Sequence, residues 1–295
     1  MQFFGGSESY LQKRRNLKVQ PKKKTRIKRF TVTQRIFHLL LILFFLILGS
    51  TGLARLYIET SWGKGIASFF GGYETSFQIH KVVGILMICC FLVHAVYLLF
   101  KVVWKELPRS LLGPESLLPH PRDIKGFFQH IAWFFHIAIS PKFDRWSYWE
   151  KFDYWAVFWG IPILGITGLL LAYPVAASRI IPGWGLNVAL WIHRIEAILA
   201  MAHVFIIHFF VTHLRRHNFP MDLTMFEGSA DLEVTRHERP AWVTRLEESG
   251  KLNLLLASEA SPRLRILYYL FGYIAMAVGI YLVIGGLANS GSITW

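Results

Sequence analysis

The chain has 295 residues, of which 54% are hydrophobic and 17% charged, with 24 Phe, 11 Trp and a mean hydropathy of +0.39. That usage excludes an ordinary soluble domain and places the chain in a membrane. A formal net charge of +14 would suggest nucleic acid as the partner of a soluble protein, but the positions of the charges argue for membrane topology, and no nucleic acid is expected.

The first thirty residues read as a basic arm. Eleven Lys and Arg fall between Lys13 and Arg35, and no short apolar core with a small-residue cleavage site accompanies them, so a cleaved signal is not expected and contact with anionic lipid is. Five apolar stretches long enough to span follow, at 36–57, 77–104, 154–175, 185–214 and 266–287. In hydrocarbon each must satisfy its own backbone groups, which predicts helices. The expected fold is an all-α membrane protein: a four-helix transmembrane bundle over 31–216, a loop over 217–263, and a fifth transmembrane helix with a short tail over 264–295.

Eight further Lys and Arg lie between Lys101 and Lys151 and eight between Arg215 and Arg265, whereas the alternate loops carry only Lys64 and Arg179. By the positive-inside rule the N-terminus and the 217–263 loop are expected in the cytoplasm and the C-terminus in the periplasm of a bacterial inner membrane. The stretch 126–136 mixes aromatic and polar residues, is too short to span, and is expected to lie in the interface. Cys89 and Cys90 fall inside the second span; with no CxxCH and no cysteine cluster, any haem would be non-covalent and of b type. No Walker, Rossmann or nucleophile-elbow pattern is present, so no residue is assigned to catalysis on an organic substrate.

Seven of the twelve histidines lie in or at the ends of spans one, two and four. Ionisable residues at that density in lipid mark an ion path, a proton relay or a metal site. His80 and His94 are 14 apart, and His193 and His208 are 15 apart; on α-helices these intervals return to within about 40–60° of one face and separate each pair by roughly 21–22 Å. With the spans alternating in direction, His80 and His193 share the outer level and His94 and His208 the inner one, where His38 also arrives. Two bis-histidine haems are thus expected, the outer held by His80 and His193 and the inner by His208 with either His38 or His94. The fifth histidine leaves a third haem open. His203, about 140° from the face of His208 on an α-helix, is expected to point to another helix or a propionate. Glycines 49, 52, 84, 160, 165 and 168 fit either porphyrin clearance or close helix packing.

These residues resemble the cytochrome b (gamma) subunit of membrane-bound formate dehydrogenases and its relatives among quinone-linked di-haem cytochromes b, over about residues 30–245. Arg35-Ile36-Phe37-His38 resembles the family's RxxH at the start of span one. Ile79-His80-Lys81-Val82-Val83-Gly84 resembles its second-span ligand, and Ile192-His193 with His203-Val204-Phe205-Ile206-Ile207-His208 its fourth span. Met225-Phe226-Glu227-Gly228 and Arg239-Pro240-Ala241-Trp242 resemble its cytoplasmic tail, and the run from Glu150 to Gly160 resembles a subgroup associated with multihaem cytochromes. The resemblance implies His38 and His208 as the inner pair. The departures are a fifth span and His94; the 14 and 15 intervals are similar to those of the cytochrome b of Rieske-linked quinol oxidoreductases, where two helices supply all ligands.

The function expected is that of a respiratory-complex subunit passing electrons through haem between a menaquinone or ubiquinone pool and a periplasmic multihaem cytochrome c or iron–sulfur subunit. Candidate residues for a quinone site are Arg35 and His213 near the inner haem, and Glu196, which either pairs with Arg194 or serves an outer site. Arg35, Lys81 and Arg194 adjoin proposed ligands and could neutralise propionates. The competing reading is a haem-free membrane anchor, or a proton or metal transporter that relays ions through the same histidines.

Overall fold

The computed structural model describes residues 25–102, 104–215 and 218–293. In chain order these form β1 (Arg26–Lys28), α1 (Val32–Leu56), α2 (Ser61–Phe69), α3 (Tyr73–Lys101), α4 (Pro121–Phe134), α5 (Tyr148–Ala172) and α6 (Gly183–Ala202), which continues through a π-helical turn (His203–His208) into Phe209–His213. Then come β2 (Ser229–Asp231), α7 (Leu232–Glu238), α8 (Pro240–Glu248), β3 (Leu256–Ala257) and α9 (Pro262–Ala288). Helices α1, α3, α5, α6 with its continuation, and α9 are long and apolar enough to cross a membrane. The chain is therefore an all-α, multi-pass membrane protein, with a four-helix bundle and a fifth spanning helix.

Four of these helices begin several residues before the apolar stretches, and for α1 and α5 the local reason is a capping box. Thr31 and Gln34 close a capping box on α1, the Thr31 N–H donating to Gln34 Oε1 at 2.9 Å and the Gln34 N–H to Thr31 Oγ1 at 3.3 Å. Ser147 and Glu150 do the same for α5, with Ser147 N–H donating to Glu150 Oε2 at 2.9 Å. Such boxes satisfy the otherwise orphaned first N–H groups, so a polar first turn joins each helix ahead of its lipid-crossing stretch.

Helices α1 and α3 pack as one pair, α5 and α6 as a second, and α3 meets α5 between them. The fifth span packs on α1 and on the π-helical turn. Its contact face is small: a side chain at Gly279 would come within 2.6 Å of the Phe205 ring, and the Tyr57 hydroxyl donates to the Gly286 carbonyl at 2.9 Å. In lipid, where apolar burial gains little between helices, such close approach supplies the van der Waals contact that holds them. The buried cluster here includes Leu53, Ala54, Tyr57, Phe205 and Leu282.

At the other end of the bundle a small cap forms. β1 lies between β2 and β3, antiparallel to both, with Arg26 opposite Asp231 and Ala257. Ile27 and Trp242 are fully buried with Leu232 and Leu246. The last part of the basic arm thus departs from the expectation of a lipid-facing segment: Arg26 pairs with Glu227 at 2.6 Å, and Arg29 pairs with Glu150 at 2.5 Å, both side chains being buried. Residues 1–24 of that arm lie outside the described residues. Glu227, just before β2, and Glu150, in the first turn of α5, give these cations their carboxylate partners, and a buried charge needs one.

Helix α4 begins with Pro121 and a His120–Asp123 capping box. It and the turn beyond it expose Ile124, Phe127, Phe128, Phe134 and Phe135, an aromatic face suited to the membrane interface.

Candidate functional site

The two helix pairs repeat one sequence. Arg29-Phe30-Thr31 before α1 matches Arg145-Trp146-Ser147 before α5, and Ile47-Leu48-Gly49-Ser50-Thr51-Gly52-Leu53 matches Ile163-Leu164-Gly165-Ile166-Thr167-Gly168-Leu169, each residue 116 positions from its counterpart. In the partner helices His80 matches His193, 113 apart, and His94 matches His208, 114 apart. The extra residue sits in the π-helical turn 203–208, since a π turn bonds i to i+5 and absorbs one residue more than an α turn. The bundle is thus two similar halves about an approximate two-fold axis.

On that axis His80 of α3 and His193 of α6 face each other, ring centroids 6.3 Å apart and planes at 71°. Thr51 Oγ1 lies 2.8 Å from His80 Nδ1, and Thr167 Oγ1 lies 3.0 Å from His193 Nδ1. Each threonine hydroxyl already donates, at 2.7 Å, to the carbonyl four residues back, Ile47 or Ile163. Its oxygen can then only accept, so Nδ1 of both histidines carries the proton and Nε2 keeps its lone pair. A side chain at Gly52 would come within 3.3 Å of His80 Cε1, and one at Gly168 within 3.2 Å of His193 Cε1. These two glycines therefore make room for the imidazoles themselves, while Gly49 packs on Met201, Gly165 on Ile88 and Gly160 on Glu196.

Both histidines line one cavity of about 1600 Å³ that runs between the halves toward the cap and also touches His38, His94, His203, His208 and His213. Single-ligand pockets run to about 1,000 Å³, so this one has room for more than one ligand. At its far end Arg55 stacks on Phe77, 4.0 Å from the ring centre, and Lys81 lies over Tyr173 at 5.0 Å. Arg55 Nη1 is buried without a hydrogen-bond partner.

At the cap end, Asp153 of α5 ties two histidines of α6: Oδ1 lies 3.1 Å from His203 Nε2 and Oδ2 lies 3.2 Å from His208 Nδ1. The α-helical spacing puts His203 and His208 on different faces; the π turn overturns that, because its i to i+5 bonding stacks residues five apart. Asp153 as acceptor fixes the Nδ1–H tautomer of His208. His38 of α1 lies within electrostatic range of His208 and His213, and the His208 and His213 rings are 6.4 Å apart.

His94 stands apart from this group. Its Nε2 lies 3.1 Å from the Tyr154 hydroxyl, and its ring packs edge-on against Phe37 at 4.7 Å. Arg35 donates to the Tyr268 hydroxyl of α9 at 3.2 Å. Sequence reading missed Thr51, Thr167, Asp153, Tyr154 and Arg55. The repeat would have found the first four, because Thr51 and Thr167 are counterparts, as are Phe37 and Asp153, and His38 and Tyr154.

A bundle of apolar helices that places several imidazoles along one internal cavity defines an integral membrane cytochrome b. A family model for prokaryotic cytochrome b561 matches residues 29–228, which begins directly after β1 and covers all four bundle helices. The chain belongs to that family and is a haem-binding membrane electron-transfer protein. No curated protein matches it. The residues present fit b-type haem: bare Nε2 donors in apolar surroundings suit iron, the 6.3 Å centroid gap accommodates two metal–imidazole bonds of about 2.0–2.1 Å, and the buried Arg55 Nη1, which has no hydrogen-bond partner, suits an acidic substituent.

Proposed function

We propose that this cytochrome b is the di-haem, quinone-linked subunit of a respiratory complex, of the formate dehydrogenase gamma type, with the residues 26–30 and 229–257 cap in the cytoplasm. The observation that carries the reading is the pair His80–His193, each Nδ1 committed to a threonine so that both Nε2 atoms keep their lone pairs, with the ring centroids 6.3 Å apart. These two would hold the outer haem. His38 and His208 would hold the inner one: Asp153 leaves the Nε2 of His208 free, while that of His94 is engaged by Tyr154. When bound, the haems supply one-electron transfer across the bilayer.

The chain's own residues do the rest. Helices α1, α3 and α6 hold the ligands at fixed depth, the threonines and Asp153 set ring orientation and ligand basicity, and the apolar walls exclude water. Arg55 and Lys81 offset haem carboxylate charge at the outer end. The partners fitting this role are a menaquinone or ubiquinone and a periplasmic multihaem cytochrome c or iron–sulfur subunit; the concentration of Lys and Arg on the cap side supports that sidedness.

The test is a pyridine haemochrome count with reduced-minus-oxidised spectra of single variants. The intact chain is expected to carry two haems, with His193→Ala losing one α-band component and His208→Ala losing the other. Retention of both components in either variant would refute the ligand assignment, and a chain with no Soret band would return the haem-free transporter.

A further inference from the structure

The approximate two-fold axis creates two equivalent positions at the cap end of the bundle, and they hold different chemistry. One has His208, Asp153 and His38. Its counterpart has His94, Phe37 and Tyr154, each 114 or 116 residues removed from its twin. The counterpart therefore lacks a second imidazole and presents instead an imidazole and a phenol, 3.1 Å apart.

Its surroundings are those of a planar aromatic ligand. The His94 ring is flanked by Phe37 at 4.7 Å, Phe158 at 6.0 Å and Tyr97 at 6.2 Å, the last stacked at 26°. His94 Nδ1 is buried with no hydrogen-bond partner, so the site has an unused polar atom besides the Tyr154 hydroxyl. Both side chains border the large internal cavity. On the outside only one layer separates them from lipid, since Val93 and Val96 of α3 are at least half exposed. A hydrophobic molecule dissolved in the bilayer could thus reach the pair between α3 and α5.

We propose that His94 and Tyr154 form the binding site for the head group of a membrane quinone, with a ring oxygen hydrogen-bonded by the phenol–imidazole pair and the ring face packed on the neighbouring aromatics. Few polar groups in an otherwise apolar, aromatic-lined pocket fix the orientation of such a ligand. The site rests on the quinone-linked reading above and differs from the Arg35 and His213 region that sequence suggested. It also gives His94 a role other than iron ligation.

The experiment is calorimetric titration of the purified haem-loaded chain in detergent with decyl-tailed 1,4-benzoquinone and 1,4-naphthoquinone, on wild type, Tyr154→Phe and His94→Gln. Tyr154→Phe removes one oxygen and keeps the ring packing. Both variants are expected to bind at least tenfold more weakly while both haem α-bands keep their amplitude. Unchanged affinity in both variants overturns the site and leaves the quinone-linked reading standing. Loss of an α-band in His94→Gln makes His94 an iron ligand and overturns the site as well. A wild-type chain that carries both haems but binds neither quinone overturns the underlying reading together with the site.

Discussion

Arg29 and Arg145 each donate a guanidinium N–H to the other's backbone carbonyl, at 3.1 and 2.8 Å. The two are 116 residues apart and precede the capping boxes of α1 and α5. Their exchange marks where the axis relating the two halves leaves the membrane. Both guanidiniums also stack on Trp242, 5.8 and 5.6 Å from its ring centre, so the cap is fastened where the halves meet. The relation matters for function because a two-fold axis brings His80 and His193 together automatically: equivalent side chains near the axis must face each other.

Thr51→Val and Thr167→Val should each loosen one outer imidazole. Valine keeps the shape and removes the acceptor for Nδ1–H, leaving a buried donor unpaired. Loss of such orienting partners costs roughly 10- to 100-fold in metal affinity. Haem titration of the apo-protein should show that weakening in one of the two proposed sites, equally for the two variants because their geometry is equivalent. An unchanged affinity would mean that packing by Gly52 and Gly168 alone orients the rings.

On the proposed two-haem ligand assignment, Asp153→Asn should raise the midpoint potential of the inner haem and leave the outer one unmoved. A carboxylate on Nδ1–H makes His208 a more basic ligand and favours ferric iron, whereas the outer histidines have only neutral hydroxyls. Potentiometric titration followed at the α-bands reads this directly. A tenfold change in the ferric-to-ferrous ratio corresponds to about 59 mV for one electron. Equal shifts in both components would assign Asp153 a general structural role.

The cap should loosen in acid. Glu115 accepts from Arg145 at 2.5 Å and from Arg245 at 2.6 Å. Partial burial alone would push its carboxyl up, but the two guanidiniums outweigh burial and hold it below the ordinary glutamate value of 4.5. A carboxylate depressed in the folded state stabilises fully above its unfolded value and loses that contribution as pH falls through the folded one. Protease sensitivity of the 229–257 segment should therefore rise below about pH 4.5, and Glu115→Gln should show that raised sensitivity already at neutral pH. A variant with wild-type resistance at pH 7 would show that Arg245 is held by Asp144 alone, 2.6 Å away.

Hydropathy alone located all five spanning helices, because a bilayer demands about twenty apolar residues per crossing and tolerates no unsatisfied backbone. The alternation of the spans likewise put His80 and His193 at one level, since both stand near the start of a span of the same direction and rise per residue is regular along a helix. What residue spacing could not convey was azimuth. A single π turn rotates His208 relative to His203 and brings both onto Asp153, and whether a helix accommodates an extra residue that way depends on what it packs against.

Tertiary structure alone decided which side chains share a partner. His94 and His208 are equivalent in spacing, yet one meets a phenol and the other a carboxylate, because adjacent residues of α5, Tyr154 and Asp153, meet α3 and the continuation of α6, while their α1 counterparts are His38 and Phe37. The fate of Arg26 and Arg29 was equally hidden: as sequence they are part of a basic tract, and only the fold brings Glu227 to Arg26, and Glu150 and the Trp242 ring to Arg29. Depth follows from one-dimensional counting along a helix; pairing follows from the packing of helices far apart in the chain.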